Sequence, residues 1–449
     1  MINKFLCKAR EIGFWSVDRL RGSATGSAYN EIKKIDGLSS EDNRVGVHQR
    51  AQFIKLVEHA VTSTDFYSSF DKNTPLEDFP IINKNLMIED EKRFLSKNYE
   101  KQELFPMSSS GSTGIPFTSY QDYEKKKRVN AEIIYYSEKA GYSIGKNLVY
   151  LRAVYIKTRK SSLRQWIQNE SIIDISSLND NNMESVLRDI VEASKEGSML
   201  LAYGSTFDLI RDYSYKNNLD FLKEANISGI ISNSEMLYDD TREAMGGLFH
   251  CKVLSRYSNQ ENGVLGQDEE RNNVFIINEA NYIVEIFHLE EDRPVEDGIL
   301  GRIVITDLYN KAMAMIRYDT GDIGSMRTIQ SQGRSKKAIT NFGGRKVDMV
   351  FDCFGKRLSP HLITNAMWAF PEIKQYQFIQ ESERGYRIII NVEKEFQRSS
   401  EFKEAMISLV GSNSQIIIEK VDEIPIMESR KRRYIMNKMD SCPSQHRDN

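Results

Sequence analysis

The residues with the most chemical promise form a short run, Ser108 to Pro116, SSSGSTGIP. Its packed hydroxyls and two glycines, Gly111 and Gly114, let the backbone approach an anion closely and present several N–H and O–H donors, as a polyphosphate requires. No Lys-Ser/Thr pair follows the last glycine, so this is not a Walker loop, and a plain connecting loop is the simpler reading. The second candidate is Arg256 to Gly263, RYSNQENG. There Glu261 could hold Mg2+ beside phosphates and Tyr257 could stack on a base, unless the segment is only a polar loop. In the third, Arg317 to Gly324 (RYDTGDIG), Asp322 could accept hydrogen bonds from both hydroxyls of a ribose or simply close an Asx-type turn. Gly343 to Val350, GGRKVDMV, puts Arg345 and Asp348 where a ligand or a hinge could use them. Finally, Ile424 to Arg433, IPIMESRKRR, carries Lys431 six residues after Pro425, in a basic run of the kind that is usually a solvated face.

These segments need a scaffold, and 449 residues are enough for two or three domains. With 40% hydrophobic and 28% charged residues the chain can build a large core, which excludes disordered and fibrous classes. No apolar run approaches the ~18 residues of a membrane span, and MINKFLCKAREIGFW breaks its apolar run too early for a signal peptide. A cytoplasmic protein is therefore expected. Cys7, Cys251, Cys353 and Cys442 are scattered, suggesting neither a disulfide framework nor zinc. A net charge of −3 argues against a nucleic-acid partner.

Helical spacing marks His48 to Phe66, and a charged helix runs from about Gln121 to Gly141. Asn182 can cap a helix that places Met183, Val186, Leu187, Ile190 and Val191 on one face and ends at Gly197. A strand at Met199 to Tyr203, a helix at Thr206 to Tyr215, a strand at Gly229 to Ser232, a helix at Asp239 to Leu248 and a strand at Lys252 to Ser255 then alternate. That alternation predicts a sheet with crossover helices. After Val274, strands at Val274 to Asn278, Tyr282 to Phe287 and Gly301 to Thr306 predict an antiparallel subdomain. A Gly-rich junction at Asn341 to Arg345 precedes a small α+β domain, with a helix after Pro360, strands at Tyr386 to Val392 and Gln415 to Val421, and a helix between them. The expected division is residues 1–344, a large N-terminal domain; 345–440, a small C-terminal domain; and 441–449, a polar tail.

Taken in order, the motifs match one large family. The sequence resembles the adenylate-forming enzymes that include acyl-CoA synthetases. Within them it is most similar to the phenylacetate–CoA ligase branch, with its CapK-type proteins associated with capsular polysaccharide and its synthetases that adenylylate a deazaflavin coenzyme. The resemblance runs from about Phe79 to Asn437 and includes LLAYGSTFDLI and IISNSEMLYDDTREAM. It implies an α/β fold: a large N-terminal domain of layered α/β sheets with an antiparallel β subdomain, plus a small mobile α+β C-terminal domain.

It also implies a ligase in which a small carboxylic acid attacks the α-phosphate of Mg-ATP, releases pyrophosphate and leaves an acyl-adenylate. The acyl group then passes to an acceptor, expected to be coenzyme A. By this resemblance Ser109, Ser110, Gly111, Ser112, Thr113 and Gly114 hold the β and γ phosphates, while Gln260 and Glu261 meet the α-phosphate and Mg2+. Asn233, Ser234 and Glu235 fall near the adenine, Tyr257 joins the ATP site, Asp322 binds ribose with Arg345 beside it, and Lys431 bridges the carboxylate and the α-phosphate. Val347 and Asp348 take the hinge positions. Four residues depart from the family pattern: Ile115 for a frequent Lys, Arg430 for the Gly before the lysine, Val347 for a charged hinge residue, and Ser258 for a Gly.

Other outcomes remain open. A CapK-like enzyme would transfer an acyl or aminoacyl group to a sugar amine or a carrier in surface-polysaccharide biosynthesis. A coenzyme-adenylylating enzyme would leave AMP on its product, and a nucleotide-binding switch would not turn over. A nucleic-acid binder built on Lys125 to Arg128 and Arg430 to Arg433 is the least favoured. Pocket walls are expected around Tyr203 to Phe207, Asn233 to Tyr238 and Tyr257 to Gly263. Monomer and homodimer are equally compatible with the sequence.

Overall fold

A computed structural model describes residues 2–108, 117–152, 161–175, 178, 181–269, 274–345, 350–355, 357–358, 363, 366–367, 369–370, 372–392, 396–424 and 435–439. The chain divides into two compact units, Met1–Thr320 with Gly324–Phe342, and Gly321–Ile323 with Gly343–Asn449.

The first unit opens with α1 (Ile2–Leu20), α2 (Ala24–Asp36) and α3 (Asn43–Ser63). The carboxylate of Asp18, buried near the end of α1, accepts from the Thr25 and Gly26 N–H groups at 3.1 and 2.8 Å and so satisfies free donors in the first turn of α2. Next come β1 (Ile82–Asn83), α4 (Lys84–Glu89), α5 (Glu91–Phe94) and a hairpin of β2 (Phe105–Ser108) with β3 (Thr118–Gln121). Asp122 caps α6 (Tyr123–Lys139), accepting from Lys125 N–H at 2.9 Å, and the helix gives way to Gly141 at φ +94°.

A run of strands and helices follows: β4 (Asn147–Arg152), α7 (Ser162–Gln168), β5 (Glu170–Asp174), α8 (Met183–Ser194), β6 (Ser198–Tyr203), α9 (Gly204–Ser214), β7 (Ile227–Asn233), α10 (Asp239–Phe249) and β8 (Val253–Asn259). Their strands pair in parallel in the order β5-β4-β6-β7-β8. The α8 face predicted from sequence is buried among Val149, Leu151, Leu200 and Ile230. Asn182 precedes α8 but makes no capping hydrogen bond with its side chain.

The next strands in the chain are β9 (Gly263–Gln267), β10 (Phe275–Ile277), β11 (Tyr282–Phe287), β12 (Gly301–Asp307), β13 (Tyr318–Ser331) and β14 (Arg334–Arg345). They extend the same sheet in the order β8-β9-β10-β14-β13-β12-β11, with β1 alongside β13, to twelve strands among the described residues. The antiparallel part is thus a continuation of the parallel sheet, because β8 turns tightly into β9. Two sequence expectations change here. The strand predicted to end at Ser255 runs on to Asn259, and RYDTGDIG lies largely inside β13, where Gly321 at φ +75° bends a continuous strand.

The second unit contains β15 (Val350–Phe351), β16 (Arg357–Leu358), β17 (Ile373–Gln380), β18 (Gly385–Val392), α11 (Ser399–Val410), β19 (Gln415–Lys420) and β20 (Ile435–Asn437). Its sheet runs β19-β18-β17-β20. Phe402, Met406 and Val410, four residues apart on α11, pack with Phe378, Ile388 and Ile390. The helix expected after Pro360 falls mostly outside the described residues. Among the described residues no helix is long and apolar enough to cross a membrane.

Candidate active site

In an open α/β sheet the usual place for a ligand is the carboxyl end of the parallel strands. Here the register sets Tyr203 of β6 beside Asn233 of β7, and Asn233 beside Arg256 of β8. Burial pushes the Tyr203 phenol up to about 12, so it stays a neutral donor near neutral pH. Directly after β7, Ser234 adopts φ 63°, turning the chain back over α9. The approach is close: a Cβ on Gly204 would lie 2.2 Å from the Met236 carbonyl oxygen. Glu235 accepts from Ser205 N–H at 2.8 Å in the first turn of α9, a structural task that the sequence reading did not foresee. Its other oxygen, Oε1, and Asn233 Oδ1 are both buried without a hydrogen-bond partner among the described residues.

Glu261 occupies the turn from β8 to β9 rather than a crossover loop. Asn259 Oδ1 accepts from Asn262 N–H at 2.8 Å, and Gly263 completes the turn at φ +123°. A side chain at Gly263 would meet Glu132 Oε2 at 2.3 Å. Gln121, at the end of β3, donates from Nε2 to the Glu261 carbonyl at 3.1 Å. This bond ties the turn to the foot of the β2–β3 hairpin, whose other end is set by the pair Ser108 and Thr118, with their hydroxyls 2.9 Å apart. The Glu261 side chain is 8% exposed, and among the described residues its carboxylate has neither hydrogen bond nor ion pair. Gln260 is exposed. Tyr257 is 5% exposed and lies in the core, its ring 4.7 Å from that of Phe342 and its hydroxyl 3.4 Å from Thr320 Oγ1. That packing leaves no open face for a base.

Below the turn lies a buried polar network absent from the sequence reading. Lys125 Nζ is 2.7 Å from Asp307 Oδ2 and donates to the Tyr282 hydroxyl at 3.1 Å, with both charged side chains fully buried. The Tyr282 hydroxyl lies 2.7 Å from the Asn262 carbonyl and 3.0 Å from Glu132 Oε1, and Glu132 Oε2 accepts from Val264 N–H at 2.9 Å. Burial raises the Glu132 carboxyl above its ordinary range, with Lys125 opposing that shift. Arg128 pairs with Glu31 at 2.6 Å. Lys125 and Arg128 are therefore interior groups, and the basic run Lys125 to Arg128 is not a free nucleic-acid face. The signal was present in the spacing, since positions 125, 128, 129 and 132 share one side of α6 and all are buried.

Asp322 is a half-buried residue of β13. Arg345 closes β14, with only its backbone described. Ser109, Ser110, Gly111, Ser112, Thr113, Gly114, Ile115, Val347, Asp348, Arg430 and Lys431 lie outside the described residues. Among the described residues no three His, Cys, Asp or Glu side chains gather as a metal cage. A separate cavity of about 360 Å3, lined in part by Lys139, Lys252 and Glu269, contains none of the residues singled out from the sequence.

Near Glu235, Asp208 of α9 accepts from Thr241 Oγ1 at 2.5 Å, and Arg211 Nη1 stands 3.6 Å away. Burial pushes the Asp208 carboxyl up to about 7, above the 3.8 of an exposed aspartate. The folded state therefore holds this proton more tightly than the unfolded chain, and stability present at acid pH is lost as pH rises from about 4 to about 7. Asp208→Asn should remove that loss. Melting temperatures taken from pH 5 to 8 should diverge in favour of the variant as pH rises, and parallel curves would refute the assignment.

The fold matches 2-hydroxyisobutyryl-CoA ligase in the postadenylation state in complex with R3-HIB-AMP. The TM-score is 0.69 at 13% identity, over 88% of this chain and 90% of that one. Residues 353–438 match the family model of the CapK C-terminal domain. Protein CapK of Staphylococcus aureus is 23% identical over 429 residues, 91% of this chain and 92% of that protein. The chain is thus similar to CapK over most of its length and carries the fold of an adenylate-forming CoA ligase. The phenylacetate-coenzyme A ligase of Escherichia coli strain K12 aligns with this chain over a shorter stretch. There it is 23% identical over 165 residues, 34% of this chain and 37% of that enzyme.

Proposed function

We propose that the protein activates a small carboxylic acid as its acyl-adenylate, with ATP as the adenylyl donor and pyrophosphate as the first product, and then transfers the acyl group to coenzyme A. The observation that carries this reading is Glu261, 8% exposed and with a carboxylate unpaired among the described residues, on a turn tied through Gln121 to the foot of the β2–β3 hairpin. A hard, unshared carboxylate suits Mg2+, which when bound would neutralise phosphate charge there. Gln260 would lie beside the α-phosphate, and Ser109 to Gly114 would present backbone and hydroxyl donors to the departing phosphates. The orphan Asn233 Oδ1 offers an acceptor to the adenine amino group, with Ser234 and Glu235 shaping the turn around it. Asp322 and Arg345 take the ribose, and Lys431 the α-phosphate and the attacking carboxylate, as the resemblance implies. Displacement at phosphorus needs such positioning and charge neutralisation more than covalent chemistry. The small C-terminal unit, hinged at Val347 and Asp348, would carry Lys431 away for the second half-reaction.

A carrier or sugar amine is the second reading of the acceptor. It is favoured by the CapK alignment spanning 91% of the chain, where the phenylacetate–CoA ligase alignment spans 34%. The test is pyrophosphate–ATP exchange over aryl, fatty, hydroxy and amino acids, followed by offering coenzyme A or an amine to the adenylate formed. Exchange should depend on one class of acid, and the acceptor that discharges the adenylate identifies the second step. ATP binding with no exchange for any acid would instead leave a nucleotide-binding switch.

A further inference from the structure

Helix α1 turns a largely apolar face outward. Its exposed side carries Phe5, Ala9, Ile12, Ser16 and Leu20, one face at intervals of four and three residues, with Val17 adjoining. Phe5 is 74% and Leu20 87% exposed, whereas Asp18 on the other side is buried against the start of α2. The apolar stripe is continued by α7, because Arg10 donates to the Trp166 carbonyl at 3.3 Å and lies over the Trp166 ring. Leu163, Trp166 and Ile167 are likewise exposed, Trp166 at 66%. The flanks are basic: residues 2–21 hold Lys4, Lys8, Arg10, Arg19 and Arg21 against Glu11 and Asp18, in a chain of net charge −3.

The geometry points to an anionic lipid surface as the partner of the α1 and α7 face, with the stripe in the headgroup–acyl boundary and the flanking cations on lipid phosphates. Charge selects this occupant over a second copy of the chain. Two such stripes packed on each other would bring Lys8, Arg10 and Arg19 near their own images, a repulsion that an anionic bilayer turns into attraction. An indole at the edge of the stripe suits the same boundary, having an apolar body and a polar N–H. The whole chain would thus sit on a membrane surface without spanning it.

Co-sedimentation with vesicles tests this, using phosphatidylcholine with and without phosphatidylglycerol. The protein should pellet with the anionic vesicles, at least about tenfold more weakly with phosphatidylcholine alone, and should be released by salt. The double variant Phe5→Asp, Ile12→Asp should stay in the supernatant with an unchanged melting temperature, since both side chains are exposed. A wild type that ignores both vesicles overturns the proposal. So does a dimer in sedimentation velocity that the double variant abolishes, because the stripe would then be a protein interface.

Discussion

Glu261→Gln is expected to lower acid-dependent pyrophosphate–ATP exchange by about a hundred- to a thousandfold while leaving thermal melting unchanged. The two halves of that expectation have one cause. The residue is 8% exposed and its carboxylate has no partner among the described residues, so the fold derives nothing from its charge. The amide has the same shape, but it is a poor ligand for a divalent cation beside phosphates. The Asn259–Asn262 bond and the Gln121 bond to the Glu261 carbonyl do not involve the side chain, so the turn should persist. Lys431→Ala is the companion variant, with a loss of similar size if that lysine meets the α-phosphate. Undiminished exchange in Glu261→Gln would remove the carboxylate from the chemistry, and a lowered melting temperature would make it structural.

The second large effect is on stability. Lys125→Met should cost the first unit about 3–5 kcal/mol, because it leaves Asp307 charged and fully buried with its cation gone. In calorimetry the transition of that unit should drop by roughly 5–15 °C. Adding Asp307→Asn to Lys125→Met should recover much of the loss, since a neutral amide can still meet Asn262 Nδ2, which is 3.3 Å from Asp307 Oδ2. Losses that simply add would show that the two residues act independently. The single variant should also weaken ATP binding, because the same network supports the Asn262 carbonyl next to Glu261.

The sequence carried the alternation of strands and helices well, since each crossover helix has a clear apolar face and each parallel strand a short apolar run. Helix α8 and strands β6 and β7 are examples. What it did not carry was pairing between distant strands. Nothing in residues 275–277 says that β10 will lie between β9 and β14, because that choice is made by a partner some sixty residues away. Strand ends were misjudged where polar residues are buried by the fold: β8 continues through Arg256, whose guanidinium bonds Gln267 and Ser137 inside the sheet. Lys125 was hidden in the same way, since a run of four cations looks solvated until helical geometry divides it between two faces. Glu261 was legible as a candidate, but not its turn, which depends on Gly263 and Glu132.

The carboxylate of Asp122 has one further consequence, in the order of manufacture. Besides capping α6 it accepts from the Lys311 and Ala312 N–H groups at 2.9 and 3.2 Å, 189 and 190 residues along the chain, and Asn310 holds the Tyr120 carbonyl at 3.0 Å. The foot of the hairpin is therefore locked by residues that leave the ribosome about ten to forty seconds after it at ordinary rates of synthesis. A nascent chain that has already reached Asn233 and Glu261 still lacks this brace on Tyr120 and Asp122. Truncation before residue 310 should leave this brace unformed, so the proposed ATP chemistry would wait until roughly seven-tenths of the chain has been made.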